Sequence, residues 1–253
     1  MYPSGGAYGG AKGCRRGAID HYQRRWTRMA IAAALTIAVI VIPAIPGAPA
    51  PTALAHCPGG GGTTYASGGK GSITAYGITS SIGWTQGNVC SSGVSHSVTV
   101  CNTGSCGGWV QSGWRYYNGY AEPKGYCEFR AVNGTYSLTE YTISHAAHTY
   151  RFDIIPAPAG ANWACKIDGA VKTSKFTIEM GFGNGTWTVA QGEAHATHVQ
   201  IGTMAPSKLS FTGLNYINSA GSLIAMNPSV STSSPYGIDK PSTTQIRMWT
   251  NAH

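Results

Sequence analysis

After its first 55 residues, the chain lacks any run or stripe of basic residues. The whole sequence carries 17 Lys and Arg against 9 Asp and Glu, a formal net charge of +8. Six of the basic residues precede residue 56, which leaves a net charge of +3 over residues 56–253, spread without a cluster. Because nucleic-acid binding needs a concentrated basic surface, this distribution excludes nucleic acid as a predicted partner.

The sequence also lacks a CxxC pair, the spacing typical of structural zinc sites. Two histidine pairs, His145 with His148 and His195 with His198, are each spaced by three residues. On a strand that spacing directs the two side chains of a pair to opposite faces, so a pair could share a metal only in a loop, and a four-histidine site would require both loops to meet. We therefore predict neither a metal site nor a cofactor.

Four prolines between residues 43 and 51 interrupt the apolar run Met29–Ala55. The part before them is shorter than the about 20 apolar residues that a membrane-spanning helix needs. The run follows five arginines and ends in Ala-Leu-Ala, a small-residue cleavage pattern. Residues 1–55 thus predict a basic n-region and a signal peptide cleaved after Ala55. We expect a secreted, extracellular protein with no stable membrane span. A single membrane anchor is the alternative, and Arg24-Arg25 leaves the twin-arginine route open beside general secretion.

Cysteine usage agrees with export to an oxidising compartment. Six cysteines follow residue 55, namely Cys57, Cys90, Cys101, Cys106, Cys127 and Cys165. An even number in such a compartment predicts three disulfides, with 15 possible connectivities. Cys101 and Cys106 flank a short Asn-Thr-Gly-Ser segment, and this pair is the one that we expect to bridge a loop.

Helical periodicity longer than two turns is absent after the leader. Short β-rich runs follow one another instead, with turn residues between them; in Tyr150–Ile154, for example, apolar and charged residues alternate with the period of a half-buried strand. We predict an all-β domain over residues 72–217, an antiparallel β-sandwich of the jelly-roll or concanavalin-like kind. Residues 56–71, rich in glycine, predict a flexible lead-in, and residues 218–253 a Ser/Thr/Pro-rich tail with a possible edge strand near residues 244–249.

Three polar residues on predicted strands are candidates for chemistry. Gln111 lies between Trp109 and Trp114, where an unpartnered amide would cost a few kcal/mol if buried. Either it is hydrogen-bonded in the core or it lines a cleft. Glu128, after Tyr126, is either paired with a nearby basic residue such as Arg115 or directed to solvent.

The third candidate is Glu193, which stands beside His195 and His198 where a strand ends. A carboxylate placed there can act as a general base toward water, provided that its surroundings bring its pKa toward the working pH. This cluster is the most site-like in the chain.

These elements resemble the glutamic peptidases of the eqolisin type and, more loosely, the neprosin-like domains, over roughly residues 84–216. In the eqolisin pattern a glutamine precedes a small-residue and glycine step, an aromatic-flanked glutamate follows, and the catalytic glutamate lies on a later strand. Those roles fall here on Gln111, Glu128 and Glu193. The segment Val110–Trp114 also matches the V-Q-x-G-W element of neprosin-like domains.

The resemblance implies a lectin-like β-sandwich that hydrolyses peptide bonds at acid pH without a metal. Glu193 would serve as general base and Gln111 as oxyanion partner, with Glu128 in a supporting role. Trp109, Trp114, Tyr126 and His195 would contact a polypeptide substrate.

A different class of function stays open, a non-catalytic secreted sandwich that binds glycans or a cell surface. Exposed aromatic residues would carry such binding, and the candidates are Trp84, Tyr116, Tyr117, Tyr120 and Trp187. Whether Gln111 and Glu193 converge on one face of a sheet distinguishes the two classes.

Overall fold

The computed structural model describes residues 64–84, 89, 92–144, 149–156, 162–195, 199, 201, 203–204 and 208–251. The expected signal peptide, residues 1–55, lies outside the described residues, as do Cys57, Cys90 and the histidines at 145, 148 and 198. Secretion therefore remains a prediction. In the described part of the chain, no helix has the length and hydropathy needed to cross a bilayer.

Strands make up almost all of the described structure. In chain order they are β1 Thr64–Ala75, β2 Gly77–Gly83, β3 Gly93–Cys101, β4 Trp109–Tyr117, β5 Lys124–Arg130, β6 Tyr136–Thr142, β7 Thr149–Pro156, β8 Asn162–Ile167, β9 Ala170–Phe176, β10 Gly185–Ala194, β11 Thr203–Met204, β12 Leu209–Ile217, β13 Leu223–Ala225, β14 Ser229–Thr232, β15 Tyr236–Ser242 and β16 Gln245–Thr250. One helical turn, α1 Thr177–Met180, separates β9 from β10.

The strands form two sheets. Sheet A has the order β14-β1-β10-β3-β4-β5-β6, and sheet B has the order β11-β16-β12-β2-β7-β8-β9, with β13 paired to β12 and β15 to β16. Every described pairing is antiparallel except the short β11–β16 contact. Strands β2, β7 and β8 of sheet B lie against β3 and β4 of sheet A. The predicted antiparallel β-sandwich is confirmed.

Side chains from the facing surfaces of the two sheets form one hydrophobic core. Its members include Val98, Val100, Val110 and Trp114 from sheet A and Ile78, Phe152, Ile154 and Phe211 from sheet B, all at most 1% exposed. Burial of this apolar surface is the main favourable term for the fold. It also leaves the other face of sheet A free to carry polar groups.

The predicted flexible lead-in over residues 56–71 is wrong for residues 64–71. These residues belong to β1, which pairs with β10 on one side and with β14 on the other. The glycines have a packing reason, because the Trp187 ring lies against this strand. A Cβ at Gly69 or Gly71 would come within 2.5 Å or 2.3 Å of that ring. Glycine here makes room for a tryptophan.

The predicted tail over residues 218–253 is wrong except for the strand expected near residues 244–249, which is β16. This segment contributes four strands, and β16 lies inside sheet B between β11 and β12 rather than at an edge. Ile246 and Met248 of β16 are fully buried, in alternation with half-buried neighbours. A Ser/Thr/Pro-rich composition concealed this alternation.

Cysteine pairing matches the prediction in one loop. Cys101 and Cys106 form the expected disulfide. Cys127 and Cys165 are free thiols in this structure, both buried in the core, so a disulfide at either residue stays a prediction. They lie on opposite sheets, on β5 and β8 respectively, where thiols pack as small apolar groups.

Candidate active site

The candidate site lies on the face of sheet A that points away from sheet B. β3 runs through the middle of this sheet, and every one of its residues is buried. Ser95, Ser97 and Thr99 alternate along β3 with His96 and the valines that face the core, so they form a buried polar layer on the outer face. This layer receives the candidate residues from the neighbouring strands β4, β5 and β10.

Gln111 is on β4 and is 8% exposed. Its amide nitrogen donates hydrogen bonds to the Ser97 hydroxyl at 2.8 Å and to the Tyr126 hydroxyl at 2.7 Å. The burial of this amide, which the sequence left as core or cleft, is therefore compensated on the outer face. Both partners are hydroxyl groups that can also donate, so the amide sits in an adaptable polar network.

Glu128 on β5 is directly opposite Gln111 in the strand register. Burial raises the pKa of its carboxyl, while hydrogen-bonding interactions with Trp109 and Tyr136 and the charge of Arg115 oppose that rise. The indole N–H of Trp109 does not reach full hydrogen-bond geometry. Arg115 itself pairs with Glu140, so the suggested direct Glu128–Arg115 pair does not form.

Glu193 is the penultimate residue of β10, with a side chain 20% exposed. Burial and the nearby charge of Glu128 raise its pKa to about 7, against a lowering hydrogen bond from Tyr65. Tyr65 is the residue paired with Glu193 across β1 and β10. A carboxyl with this pKa exchanges its proton near neutral pH, as a general base or acid requires.

The strand register places Gln111 and Glu193 on the same face. Gln111 pairs with Thr99, which pairs with Val189, and Glu193 lies four residues further along β10. On a flat sheet this offset is about 13 Å along the strands and about 10 Å across them. Both side chains project from the outer face of the sheet, roughly perpendicular to it. The Gln111 amide bonds to Ser97, one pairing step nearer Glu193.

His195 lies beside Glu193 but does not form an ion pair with it. Its Nε2 is 2.9 Å from the Tyr117 hydroxyl and 4.0 Å from a Glu193 carboxyl oxygen. Burial, followed by the charge of Arg115, lowers the pKa of His195. The imidazole is therefore neutral at pH 7, and Tyr117 rather than Glu193 is its hydrogen-bond partner.

The predicted contact residues separate into two groups. Trp109 is half-buried on the outer face with the Arg130 guanidinium 4.8 Å from its ring centroid, and Tyr126, 2% exposed, holds Gln111. Trp114 points into the core, where it stacks on His96, so the prediction that it contacts substrate is wrong. The same alternation that exposes one side of β4 buries the other.

Of the aromatic residues proposed for glycan binding, Trp84 is also a core residue at 3% exposure. Trp187 remains accessible in an open groove of about 430 Å³. The groove is lined by Tyr65, Ser67, Gly69, Trp187, Val189, Gln191, Ser229, Val230 and Ser231. It has no charged lining residue, and Tyr65 connects it to Glu193.

Tyr65 is the residue that sequence reasoning missed. It lies in the glycine-rich segment that was predicted to be flexible, so no role was assigned to it. The alternation of Tyr65 and Ser67 with small residues was the available signal for a strand. Across the described residues, no cluster of three or more His, Cys, Asp or Glu side chains has the arrangement of a metal site.

Comparison with known proteins gives a likeness of fold. No protein-family model and no curated sequence matches the chain. A crystal structure of scytalido-glutamic peptidase with a peptide-based transition-state analogue matches at a TM-score of 0.54 and 11% identity, covering 74% of this chain and 98% of that one. SCP-B, an eqolisin-family peptidase in complex with the tripeptide Ala-Ile-His, matches at a TM-score of 0.52 and 11% identity with the same coverage.

A glycoside hydrolase family 16 endo-glucanase from Bacteroides ovatus matches less well, at a TM-score of 0.38 and 9% identity, over 53% of this chain and 66% of that one. At that score the likeness carries no argument about function. The eqolisin matches cover 74% of this chain at TM-scores above 0.5, which confirms the resemblance drawn from the sequence at the level of fold. This chain has the β-sandwich fold seen in the eqolisin-type glutamic peptidases.

Proposed function

We propose that the protein is a hydrolase that cleaves peptide bonds, with Glu193 as general base and Gln111 as the donor to the oxyanion. The observation that carries this proposal is the Glu193 carboxyl, which is largely buried, has a pKa of about 7 and shares the outer face of sheet A with Gln111. Perturbed carboxyls of this kind are concentrated at functional sites. The fold likeness to a glutamic peptidase, at 11% identity, supports the same function.

Glu193 and Gln111 project from one face of sheet A on strands that flank β3, an arrangement that suits a base and a donor acting on the same substrate carbonyl. A base, a water, a carbonyl group and an amide donor in a row span roughly 6–9 Å at ordinary hydrogen-bond and near-attack distances. Glu193 takes a proton from the water as the water oxygen attacks the carbonyl carbon. The same carboxyl, now protonated, then donates a proton to the departing amine, which restores the carboxylate.

Gln111 stabilises the negative oxygen that forms during attack. Its amide already donates to Ser97 and Tyr126, so one of these bonds must be exchanged for the bond to substrate. Burial raises the pKa of Tyr126, which keeps its hydroxyl protonated and able to act as a replacement donor. Removing a donor of this type from an oxyanion site costs about 10²–10³ in rate.

The pKa of Glu193 moves the expected pH range upward from the acid range that the resemblance implies. With a pKa of about 7, the carboxylate that acts as base is in the minority below neutral pH. We expect the rate to rise as pH increases through about 7. Glu128 contributes through its charge, which helps to raise the Glu193 pKa.

Hydrolysis of an unfolded protein substrate by the purified protein between pH 4 and pH 9, with a chelator present, tests the proposal. Glu193→Gln should lower kcat/KM by about 10²–10⁴-fold, the usual contribution of a general base. Glu179→Gln on the exposed helix α1 is the matched control and should leave the rate unchanged. Equal rates for these two variants and the parent protein would exclude Glu193 as the base.

A second function, glycan binding, is favoured by one observation. The groove lined by Trp187, Tyr65 and several serine hydroxyls combines an aromatic ring with neutral hydrogen-bonding groups, a combination that suits a sugar. Titration with soluble glycans would decide between the two functions. Affinity that is lost in Trp187→Ala but kept in Glu193→Gln, together with no proteolysis by the parent protein, would favour the binder.

A further inference from the structure

Two thiols that the proposed reaction does not use face one another across the sandwich. Cys127 lies on β5 of sheet A and Cys165 on β8 of sheet B, and both are 0% exposed. Each is next to the same point of β4. The Cys165 thiol is 3.8 Å from the backbone carbonyl oxygen of Gln111, and the Cys127 sulfur is 3.9 Å from the Ser112 hydroxyl.

The Cys165 thiol also lies near Cys127 itself. Burial is the largest cause that raises the pKa of the Cys165 thiol, and Cys127 and Ser112 are the neighbouring groups that also shift it, so both lie near its sulfur. A sulfur of sheet B that reaches the backbone of sheet A also shows that the sheets approach closely here. Close approach of the two backbone segments that carry the cysteines is the main geometric condition for a disulfide.

The rest of the chain supplies the chemical setting. Cys101 and Cys106 are already joined, and a disulfide persists only in an oxidising compartment. We propose that Cys127 and Cys165 are a redox pair that closes to an inter-sheet disulfide beneath Gln111 in the exported protein. This inference is independent of peptidase or glycan-binding activity.

Closure is a thiol–disulfide exchange. One thiolate attacks a small-molecule or protein disulfide oxidant and forms a mixed disulfide with it. The second thiolate then attacks the protein sulfur of that mixed disulfide and displaces the remaining half of the oxidant as a thiolate. The bond Cys127 Sγ–Cys165 Sγ forms, the oxidant's S–S bond breaks, and two protons and two electrons pass to the oxidant as two thiols. Because both cysteines are fully buried in the folded protein, the exchange must take place before the sheets close or during their transient opening.

Peptide mapping of the full chain, refolded with a glutathione redox couple and alkylated under denaturing conditions, tests the inference. Trypsin would release Cys127 in Gly125–Arg130 and Cys165 in Phe152–Lys166, apart from the peptide that holds Cys101 and Cys106. We expect a linked species about 2 Da below the summed masses of the two free peptides. The Cys101–Cys106 disulfide is the internal control for oxidation. Recovery of both peptides in alkylated form, or linked to other cysteines, while that control is closed would overturn the proposal.

Stability gives a second, independent measurement. Cys127 and Cys165 are 38 positions apart, and a loop of that length predicts a loss of roughly 8–16 °C in Tm when the bond is absent. The Tm of Cys165→Ala should therefore be lower than that of the parent by this amount when both are oxidised. When both are refolded under reductant, the difference in Tm should be much smaller. An equal loss in both states would mean that Cys165 serves packing alone and would contradict the disulfide.

Discussion

The two faces of sheet A are built from the same strands and are both buried at β3, yet the titratable residues Glu193 and His96, on opposite faces, differ in their hydrogen bonding. On the outer face, Gln111 and Glu193 have hydrogen-bond partners, and the pKa of the carboxyl is brought to about 7. On the core face, His96 is fully buried and neither ring nitrogen has a hydrogen-bond partner. Burial tunes a group that has partners and penalises one that has none.

Both faces nevertheless favour the same pH range. Burial lowers the pKa of His96 to about 3, so this side chain makes the folded state less stable at acid pH. Glu193, with a pKa of about 7, supplies a base only toward and above neutral pH. A protein with these two groups is best suited to neutral conditions, where His96 is uncharged and part of the Glu193 population is ionised.

The largest expected effect comes from removing the histidine from the core face. Unfolded histidine binds a proton near pH 6.5 and folded His96 only near pH 3, so the unfolded state binds more protons between these values. Stability is therefore lost as pH falls through this window, by about 3 kcal/mol at pH 4. His96→Phe, which keeps a ring against Trp114, should abolish this part of the loss in urea unfolding at pH 4 and pH 8.

The difference between the two pH values is the quantity that matters. Phenylalanine is larger than histidine, and any overpacking against Trp114 or Phe211 acts equally at both pH values and cancels. His195→Phe is the matched control, because its imidazole is on the outer face and partly exposed. An unchanged pH slope in His96→Phe would mean that His96 binds a proton in the folded state without difficulty.

The sequence predicts some features of sheet A and not others. Alternation along β4 separates Trp109 and Gln111 from Trp114, but the resemblance placed Trp114 beside the substrate. The Cys101–Cys106 disulfide follows from spacing alone. The contribution of β1 does not follow, because its glycines suggest a linker until Trp187 is placed against them. The sequence fails to predict the pairing of Tyr65 with Glu193 for the same reason.

Pairing across strands is the other limit on what the sequence predicts. That Glu193 faces Tyr65 on one side and Ser95 on the other depends on the registers of β1 and β3 against β10. These strands are far apart in sequence, and no local pattern fixes which residues meet. The pKa of Glu193 depends on these cross-strand neighbours. The sequence therefore shows that a base role requires a shifted pKa, but it does not predict the shift.

The next effect is the stability contribution of Glu193, which has the opposite pH dependence to that of His96. Its folded pKa of about 7 exceeds the ordinary 4.5, so the folded state binds more protons between these values and stability falls as pH rises through them. The full shift corresponds to about 3 kcal/mol at pH 8. Because the Glu193 side chain is 20% exposed and partly screened by solvent, Glu193→Gln should stabilise the protein by about 2 kcal/mol at pH 8, with no gain at pH 4. Urea unfolding of this variant beside Glu179→Gln measures the effect, and equal gains at both pH values would contradict it.

The smallest effect sharpens the outer face itself. Tyr65 donates to Glu193 and lowers its pKa, so Tyr65→Phe should raise that pKa by less than one unit, under about 1.4 kcal/mol. The ¹³C carboxyl titration of Glu193 and the midpoint of the pH–rate profile should move upward together. Tyr136→Phe is the control, because Tyr136 bonds to Glu128 and its loss should not raise the Glu193 midpoint. A change in KM with no shift of either midpoint would make Tyr65 a groove residue rather than one that positions the base.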